Sequence, residues 1–176
     1  MRRLVALAAL AGLLLNGLAI WLGRGSFVHT IGVIAIAAYV GLPALIAGIL
    51  FYALRSRYGR ARTIGIAAWT VSIVALSGLL SLWPGRALAD HDVAEAKAYC
   101  EQLAARLDAL RQQTGRYPAD LSTLRAAAVE PRLVRESLSY SSGADGATFE
   151  LAFTDPRQLM TGLAYHSGDR RWVDWD

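Results

Sequence analysis

The tripeptide Asp90-His91-Asp92 groups side chains suited to chemistry, because an imidazole and two carboxylates can hold a divalent metal ion. Adjacent residues of a helix point in different directions, so one ion could hardly engage all three. Acidic side chains here also complement the positive end of a helix dipole. We interpret the tripeptide as part of a helix start and predict no metal site.

The sequence contains no other convincing catalytic pattern. Ser142 and His166 could serve as nucleophile and base, but no Gly-x-Ser-x-Gly elbow or oriented acid accompanies them. The chain also lacks His-Glu-x-x-His, Cys-x-x-Cys and a phosphate-binding loop, and Lys97 is its single lysine. We expect a protein that is not an enzyme and has no cofactor. An enzyme that uses His166 with carboxylates is the alternative.

Charge is distributed unevenly along the chain. Residues 1–83 carry seven arginines and no acid, whereas residues 84–176 carry 11 basic and 14 acidic residues, so +7 and −3 give the net charge of +4. The basic residues flank apolar segments, which argues against nucleic-acid binding. We predict a transmembrane domain at 1–83 and a domain in water at 84–176.

Three apolar segments have the roughly 20 residues that a helix needs to cross a bilayer. They are Leu4–Leu22, Ile31–Leu54 and Thr63–Trp83, and none contains an Asp, Glu, Lys, Arg or His side chain. Transporters and proton relays usually need such groups within the membrane, so transport is disfavoured. We interpret Asn16 and Ser72 as packing positions and Pro43 as a kink.

The loops predict the orientation. Four arginines lie in the stretch Arg55–Arg62 and two more at Arg2 and Arg3, whereas the first loop has only Arg24. The positive-inside rule therefore places the amino terminus in the cytoplasm and the carboxy-terminal domain in the periplasm, on a bacterial inner membrane. Alternatively, the first segment is a signal peptide cleaved near Gly17-Leu18-Ala19, which would leave two spans in the same orientation.

The carboxy-terminal half predicts a small α+β domain. Pro84-Gly85 favours the end of the third span, and Asp92-Val-Ala-Glu95 has the form of a capping box that starts a new helix. This helix would carry an apolar stripe of Val93, Ala96, Cys100, Leu103, Leu107 and Leu110 and end at Gly115. Cys100 is interpreted as a buried small hydrophobe.

Beyond Gly115 the pattern changes. It favours a short helix up to about Ala128 and then three or four antiparallel strands, with tight turns at Asp145-Gly146 and at 167–170. A long helix laid across this meander would bury the apolar stripe. The predicted fold is three transmembrane helices followed by an α+β domain.

Residues 90–176 resemble the type IV pilins, in particular the pseudopilins of type II secretion. The resemblance is carried by a long helix, a Leu-x-x-Leu turn and an aromatic meander, and its residues are Gly115, Arg116, Tyr117, Pro118, Leu121, Leu124, Phe149, Phe153 and Trp172. It implies a pilin-like periplasmic domain that acts by protein–protein contact, in connection with a pilus or a secretion assembly.

The chain also departs from the pilin pattern. It has no prepilin-peptidase site before the third segment, no acid within that segment and two further spans upstream. The break expected at Pro84-Gly85 would also divide a helix that tends to be continuous in pilins. A pilin-like domain on a polytopic anchor is therefore expected in place of a fibre subunit. Pseudopilin-like calcium binding would use Asp155, Asp169, Asp174 and Asp176, but their spacing matches no calcium loop, so we interpret them as solvated carboxylates.

Aromatic residues near the end of the chain are the candidate contacts for a partner. Trp172 and Trp175 are three apart in a predicted strand, so they point to opposite faces, and one is expected to be exposed. With Tyr117 they form the candidate contact set, and capping of the core is the alternative reading. The expected partner is an unknown protein in the periplasm or membrane, and the oligomeric state is open.

Two functions follow from these expectations. The first is an integral inner-membrane protein that presents a periplasmic interaction domain. The second is an immunity or inhibitor protein that protects the envelope from a toxin acting in the periplasm.

Overall fold

The computed structural model describes residues 2–54, 59–125 and 129–175. Part of the arginine-rich loop (55–58), the predicted helix end at Ala128 and the carboxylate of Asp176 lie outside the described residues. The chain forms two compact units, Met1–Leu88 and Ala89–Asp176.

The first unit is made of apolar helices. Helix α1 is Arg2–Gly23, and a second segment joins α2 (Phe27–Ile36), a π-helical turn (Ala37–Gly41) and α3 (Leu42–Ala53). The third segment begins with α4 (Gly59–Ser77) and a 3₁₀ turn (Gly78–Ser81). All three segments are long and apolar enough to cross a membrane, which confirms the three long apolar helices.

The π-helical turn ends two residues before Pro43, the residue interpreted as a kink. Proline has no N–H for the carbonyl four residues earlier, and its ring crowds that carbonyl. A π turn changes the hydrogen-bond spacing locally and is one way in which a long helix accommodates such a defect. The second segment therefore continues through Pro43 as a helix.

Close packing joins α1 to α4. The Asn16 side-chain amide donates to the carbonyl oxygen of Ser77 at 3.0 Å and to its Oγ at 3.1 Å. A Cβ at Gly12 would lie 2.9 Å from the same Oγ, so a glycine permits the approach of the two helices. Ser72 is buried. Asn16 and Ser72 are thus packing positions.

The break predicted at Pro84-Gly85 is wrong, and so is the helix start predicted at the Asp92 capping box. Helix α5 runs from Leu82 to Thr114 without interruption. Pro84 lies in its first turn, where a missing N–H costs no intrahelical hydrogen bond. The preceding 3₁₀ turn makes the transition, because the Leu82 N–H bonds to the Leu79 carbonyl.

The second unit packs α5 against an antiparallel sheet, as predicted. The four strands follow one another in the order β1 (Ser139–Ser142), β2 (Phe149–Thr154), β3 (Gly162–His166) and β4 (Arg171–Trp175). Short helices α6 (Ser122–Arg125) and α7 (Arg132–Ser137) lie between α5 and the sheet in sequence. Gly115, at φ +80°, follows the last turn of α5.

One apolar core holds this unit together. The stripe of α5 residues from Val93 to Leu107 is buried, with Cys100 and Leu107 fully inaccessible. These side chains pack with Leu133 and Val134 of α7 and with the inward side chains of β2 and β3, which are Phe149, Leu151, Phe153 and Leu163. The burial of Cys100 confirms its interpretation as a small core residue.

Replacement of Gly25 by alanine should destabilise the first unit. Gly25 has φ +71°, and an added Cβ would overlap the Gly85 carbonyl. We expect a loss of about 1–3 kcal/mol in the free energy of unfolding. Gly17→Ala is the matched control, because nothing lies within 4 Å of that position. Thermal unfolding in detergent, followed by circular dichroism, measures both, and equal effects would contradict the packing described here.

Candidate functional site

Strand β4 carries both candidate tryptophans and turns them to opposite faces of the sheet. Trp172 pairs with Tyr165 of β3, and Trp175 pairs with Gly162. Trp172 packs against the core, whereas Trp175 is 42% exposed. The two side chains therefore meet different surroundings, as the three-residue spacing predicts.

Trp172 is an anchor between the sheet and α5. Its ring meets Phe153 and Tyr165 edge to face, with centroids 5.6 and 5.5 Å away. Its indole N–H donates to Glu101 Oε1 at 3.2 Å, and the Lys97 ammonium lies 5.3 Å from the ring centroid. Such contacts hold the ring in place. Trp172 is therefore only partly open to a partner.

Trp175 lies on the outer face of the sheet. Its indole occupies the space in which a side chain at Gly162 would stand. A ring laid over a cross-strand glycine covers backbone that would otherwise face water. Val173 is on the same face and is 47% exposed. Trp175 and Val173 therefore form an apolar patch on the edge strand, which we call the β4 patch.

Tyr117 is buried in the same unit, at 6% exposure. Its ring packs edge-on against Phe149 at 4.7 Å, and the Arg111 guanidinium lies 4.9 Å from its centroid. Its hydroxyl donates to Asp108 Oδ1 at 2.7 Å. Burial, and next the hydrogen bond to Asp108, raise the pKa of Tyr117. Tyr117 therefore lies on the core side, and the structure does not bring it together with Trp175.

The carboxylates considered for calcium are separated. Asp155 begins the loop between β2 and β3, and Asp169 lies in the turn at the other end of β3. The Arg157 guanidinium holds the Asp155 carboxylate through two atoms, with Nε to Oδ1 at 2.9 Å and Nη2 to Oδ2 at 2.6 Å. The oxygens of Asp155 are thus directed to an arginine.

The tripeptide 90–92 is divided between partners. Asp90 accepts from Arg157 Nη1 at 2.9 Å, and Asp92 pairs with Arg132 at 3.2 Å. Ligand atoms of His91, Asp92 and Glu95 lie within 4.8 Å of one another. These three could contact one cation, but the Asp92 carboxylate would have to be shared with Arg132. The contacts that the structure shows on this helix surface are ion pairs with arginines.

Burial alone would raise the pKa of Asp155, but the side-chain and backbone hydrogen bonds from Arg157 and its charge outweigh burial. The net effect is a pKa below the usual value of the carboxyl group. A lowered pKa means that the ionised form stabilises the fold above about pH 4.

Arg157 contacts Asp155, the first residue of the β2–β3 loop, and Asp90 of α5, so it ties the loop to both. Sequence reasoning missed this network, because Asp90 and Arg157 are 67 residues apart.

His29 lies within α2 and is buried. The Gly25 N–H donates to its Nδ1 at 3.2 Å, so the ring is neutral and Nε2 carries the proton. Nε2 then donates to Ser81 Oγ at 3.1 Å, and that hydroxyl donates to the Gly78 carbonyl at 2.6 Å. His29 joins the loop after α1 to the 3₁₀ turn.

Comparison of the chain with protein-family models, with curated proteins and with solved structures gives no match.

Asp155→Asn should destabilise the second unit by about 1.5–3 kcal/mol at neutral pH, because the hydrogen bonds from Arg157 lose their charged acceptor. The difference from the unmodified protein should shrink as the pH falls below about 4, where protonation removes the same charge. Chemical unfolding followed by tryptophan fluorescence measures it. The exposed Asp169→Asn is the control, and a loss as large at that position would contradict the ion-pair explanation.

Proposed function

We propose that the protein is an integral protein of a bacterial inner membrane. Its three long apolar helices span the bilayer, with the amino terminus in the cytoplasm. The second unit is on the periplasmic side, where it acts as a protein-interaction domain. The proposal involves no catalysis and no cofactor.

The outward surface of the first unit carries the membrane proposal. Only 11%, 22% and 17% of the residues in the most apolar windows of the three segments are buried by the protein itself. Leu13, Leu14, Trp21 and Leu80 are between 67% and 76% exposed. Exposure of this surface to water would cost a large amount of free energy, whereas hydrocarbon chains can cover it without that cost. A bilayer is therefore the solvent that suits it.

Charge supports the orientation. Residues 1–83 carry no acid, and six of their seven arginines lie at the amino-terminal end and in the second loop. Such a bias retains those ends in the cytoplasm. The second unit contains all the carboxylates, and it would then lie on the opposite side of the membrane.

The β4 patch supports protein contact as the role of the second unit. Aromatic side chains that are half-exposed and fixed in place lose little entropy when they are covered by a partner. Trp175 has these properties, because it rests on Gly162 in an edge strand. An edge strand also offers backbone groups to which an extended segment of a partner can pair.

The pilin resemblance remains a proposal, and two features are in its favour. The unbroken helix α5 precedes an antiparallel sheet, which is the order implied by the resemblance. The helix break at Pro84-Gly85, which would have distinguished this chain from pilins, is absent. A role in a pilus or a secretion assembly is therefore the specific form of the proposed function.

Crosslinking from β4 tests this function. A photoreactive amino acid in place of Trp175, irradiated in intact membranes, should capture a periplasmic or membrane protein. The same residue in place of Trp172 should give little product, because that side chain packs against Phe153 and Tyr165. Equal capture at both positions, or none at Trp175, would contradict a partner surface at β4.

The identity of the captured protein separates the two expected functions. Subunits of a pilus or secretion machine would support the assembly role. A single toxin-like protein would support the immunity role instead, and loss of protection in a deletion strain would then be the matching phenotype.

A further inference from the structure

The exposed apolar side chains of the second unit are concentrated at its loops. Among its described residues, the large apolar side chains most open to solvent are Val129, Met160 and Leu159, at 97%, 82% and 58% exposure. Val173 and Trp175 of the β4 patch follow at 47% and 42%. Val129 precedes α7, and Leu159 and Met160 form the tip of the β2–β3 loop.

Ion pairs fasten both loops to one end of the unit. Arg157 bridges the β2–β3 loop to Asp90, which is the second residue of the unit. Arg132, three residues after Val129, pairs with Asp92. Three residues of chain span at most about 11 Å. The three apolar side chains therefore lie close to the place where the chain enters the unit.

The opposite end of the unit has a different character. There the β3–β4 turn is fastened to α5 by Arg170 and Asp108, 3.4 Å apart, and Tyr117 donates to the same carboxylate. Asp108 lies 18 residues after Asp90, which is about 27 Å along an α-helix. That turn contains Gly168 and Asp169 and no large apolar side chain.

The β2–β3 loop holds its apolar tip outward. The Asp155 N–H donates to the Thr161 carbonyl at 3.0 Å, which closes the loop at its base. Met160 has φ +57°, a left-handed conformation that is uncommon for a bulky side chain. A conformation of this kind persists when the surrounding structure enforces it. The loop therefore presents Leu159 and Met160 to solvent on a constrained backbone.

Along the chain, the second unit begins only a few residues after the predicted third span. Asp90 lies seven residues after Trp83, the end of the predicted third span, and both belong to α5. Seven helical residues rise about 10 Å, and the headgroup region extends about 5–8 Å beyond the hydrocarbon core.

We propose that Leu159, Met160 and Val129 form an interfacial lipid contact, by which the second unit rests on the outer surface of the membrane. The inference depends on the membrane insertion in the proposed function. Lipid is favoured as the occupant because these side chains lie at the chain-entry end. The nearby acids Asp90 and Asp92 are already paired with arginines, so they repel anionic headgroups less than free carboxylates would.

Fluorescence quenching by lipids tests the contact in the full-length protein in nanodiscs. An environment-sensitive label is attached to the single variants Met160→Cys, Leu159→Cys and Gly168→Cys. The natural Cys100 has no exposed surface and should remain unlabelled in the folded protein. A quencher carried at the headgroup level reports proximity to the interface. Leu14→Cys with a quencher at the bilayer centre reports insertion itself, because Leu14 is 67% exposed on α1.

We expect a blue shift and a loss of emission for the labels at positions 159 and 160, and neither at 168. Unquenched labels at both 159 and 160, together with a quenched label at 14, would overturn the lipid contact and leave the proposed function intact. An unquenched label at 14 would overturn membrane insertion and the lipid contact together. The use of two neighbouring positions guards against a variant that disturbs the left-handed backbone at Met160.

Discussion

The apolar surface that the first unit leaves uncovered is the constraint on which the rest of the protein depends. Packing between the helices hides only a minority of their side chains. A bilayer would cover the outward leucines of such helices, and the helices would keep their backbone hydrogen bonds there. Polar side chains inside this unit are accordingly bonded to one another, as Asn16 is to Ser77 and His29 is to Ser81.

The second unit differs from the first because it buries its apolar side chains in a core of its own. Its apolar stripe and inward sheet residues bury one another, and several of its charged side chains form ion pairs at the surface. Arg157 and Arg132 pair loops that are distant in sequence with Asp90 and Asp92, close to the start of the unit. Arg170 pairs the β3–β4 turn with Asp108, farther along α5. The pairs of Arg157 and Arg132 hold Val129 and the β2–β3 loop at one end of the unit, and strand β4 carries the other exposed apolar side chains. They are the surfaces to which we assign lipid and protein contact.

The features with a regular period could be predicted from the sequence. Three apolar runs, the spacing from Val93 to Leu107 and the Asp145-Gly146 turn each reflect a local rule, and each has its element in the structure. The prediction of a helix break at Pro84-Gly85 was wrong because proline is tolerated in the first turn of a helix. Pro84 lies in a first turn because a 3₁₀ turn precedes it, and the sequence pattern did not indicate that turn. Tyr117 and the Arg157 network depend on contacts between distant residues, and the residue spacing gave no sign of them.

Protease accessibility in spheroplasts tests the central claim, that the first unit spans the membrane and the second lies outside it. Protease added from outside should digest the second unit and leave a protected fragment of about the length of the first, because a bilayer shields membrane helices. After lysis the arginine-rich loop should become accessible as well, and the protected fragment should be cut. An intact chain before lysis that loses its second unit only afterwards would contradict the orientation. Complete digestion from outside would contradict insertion.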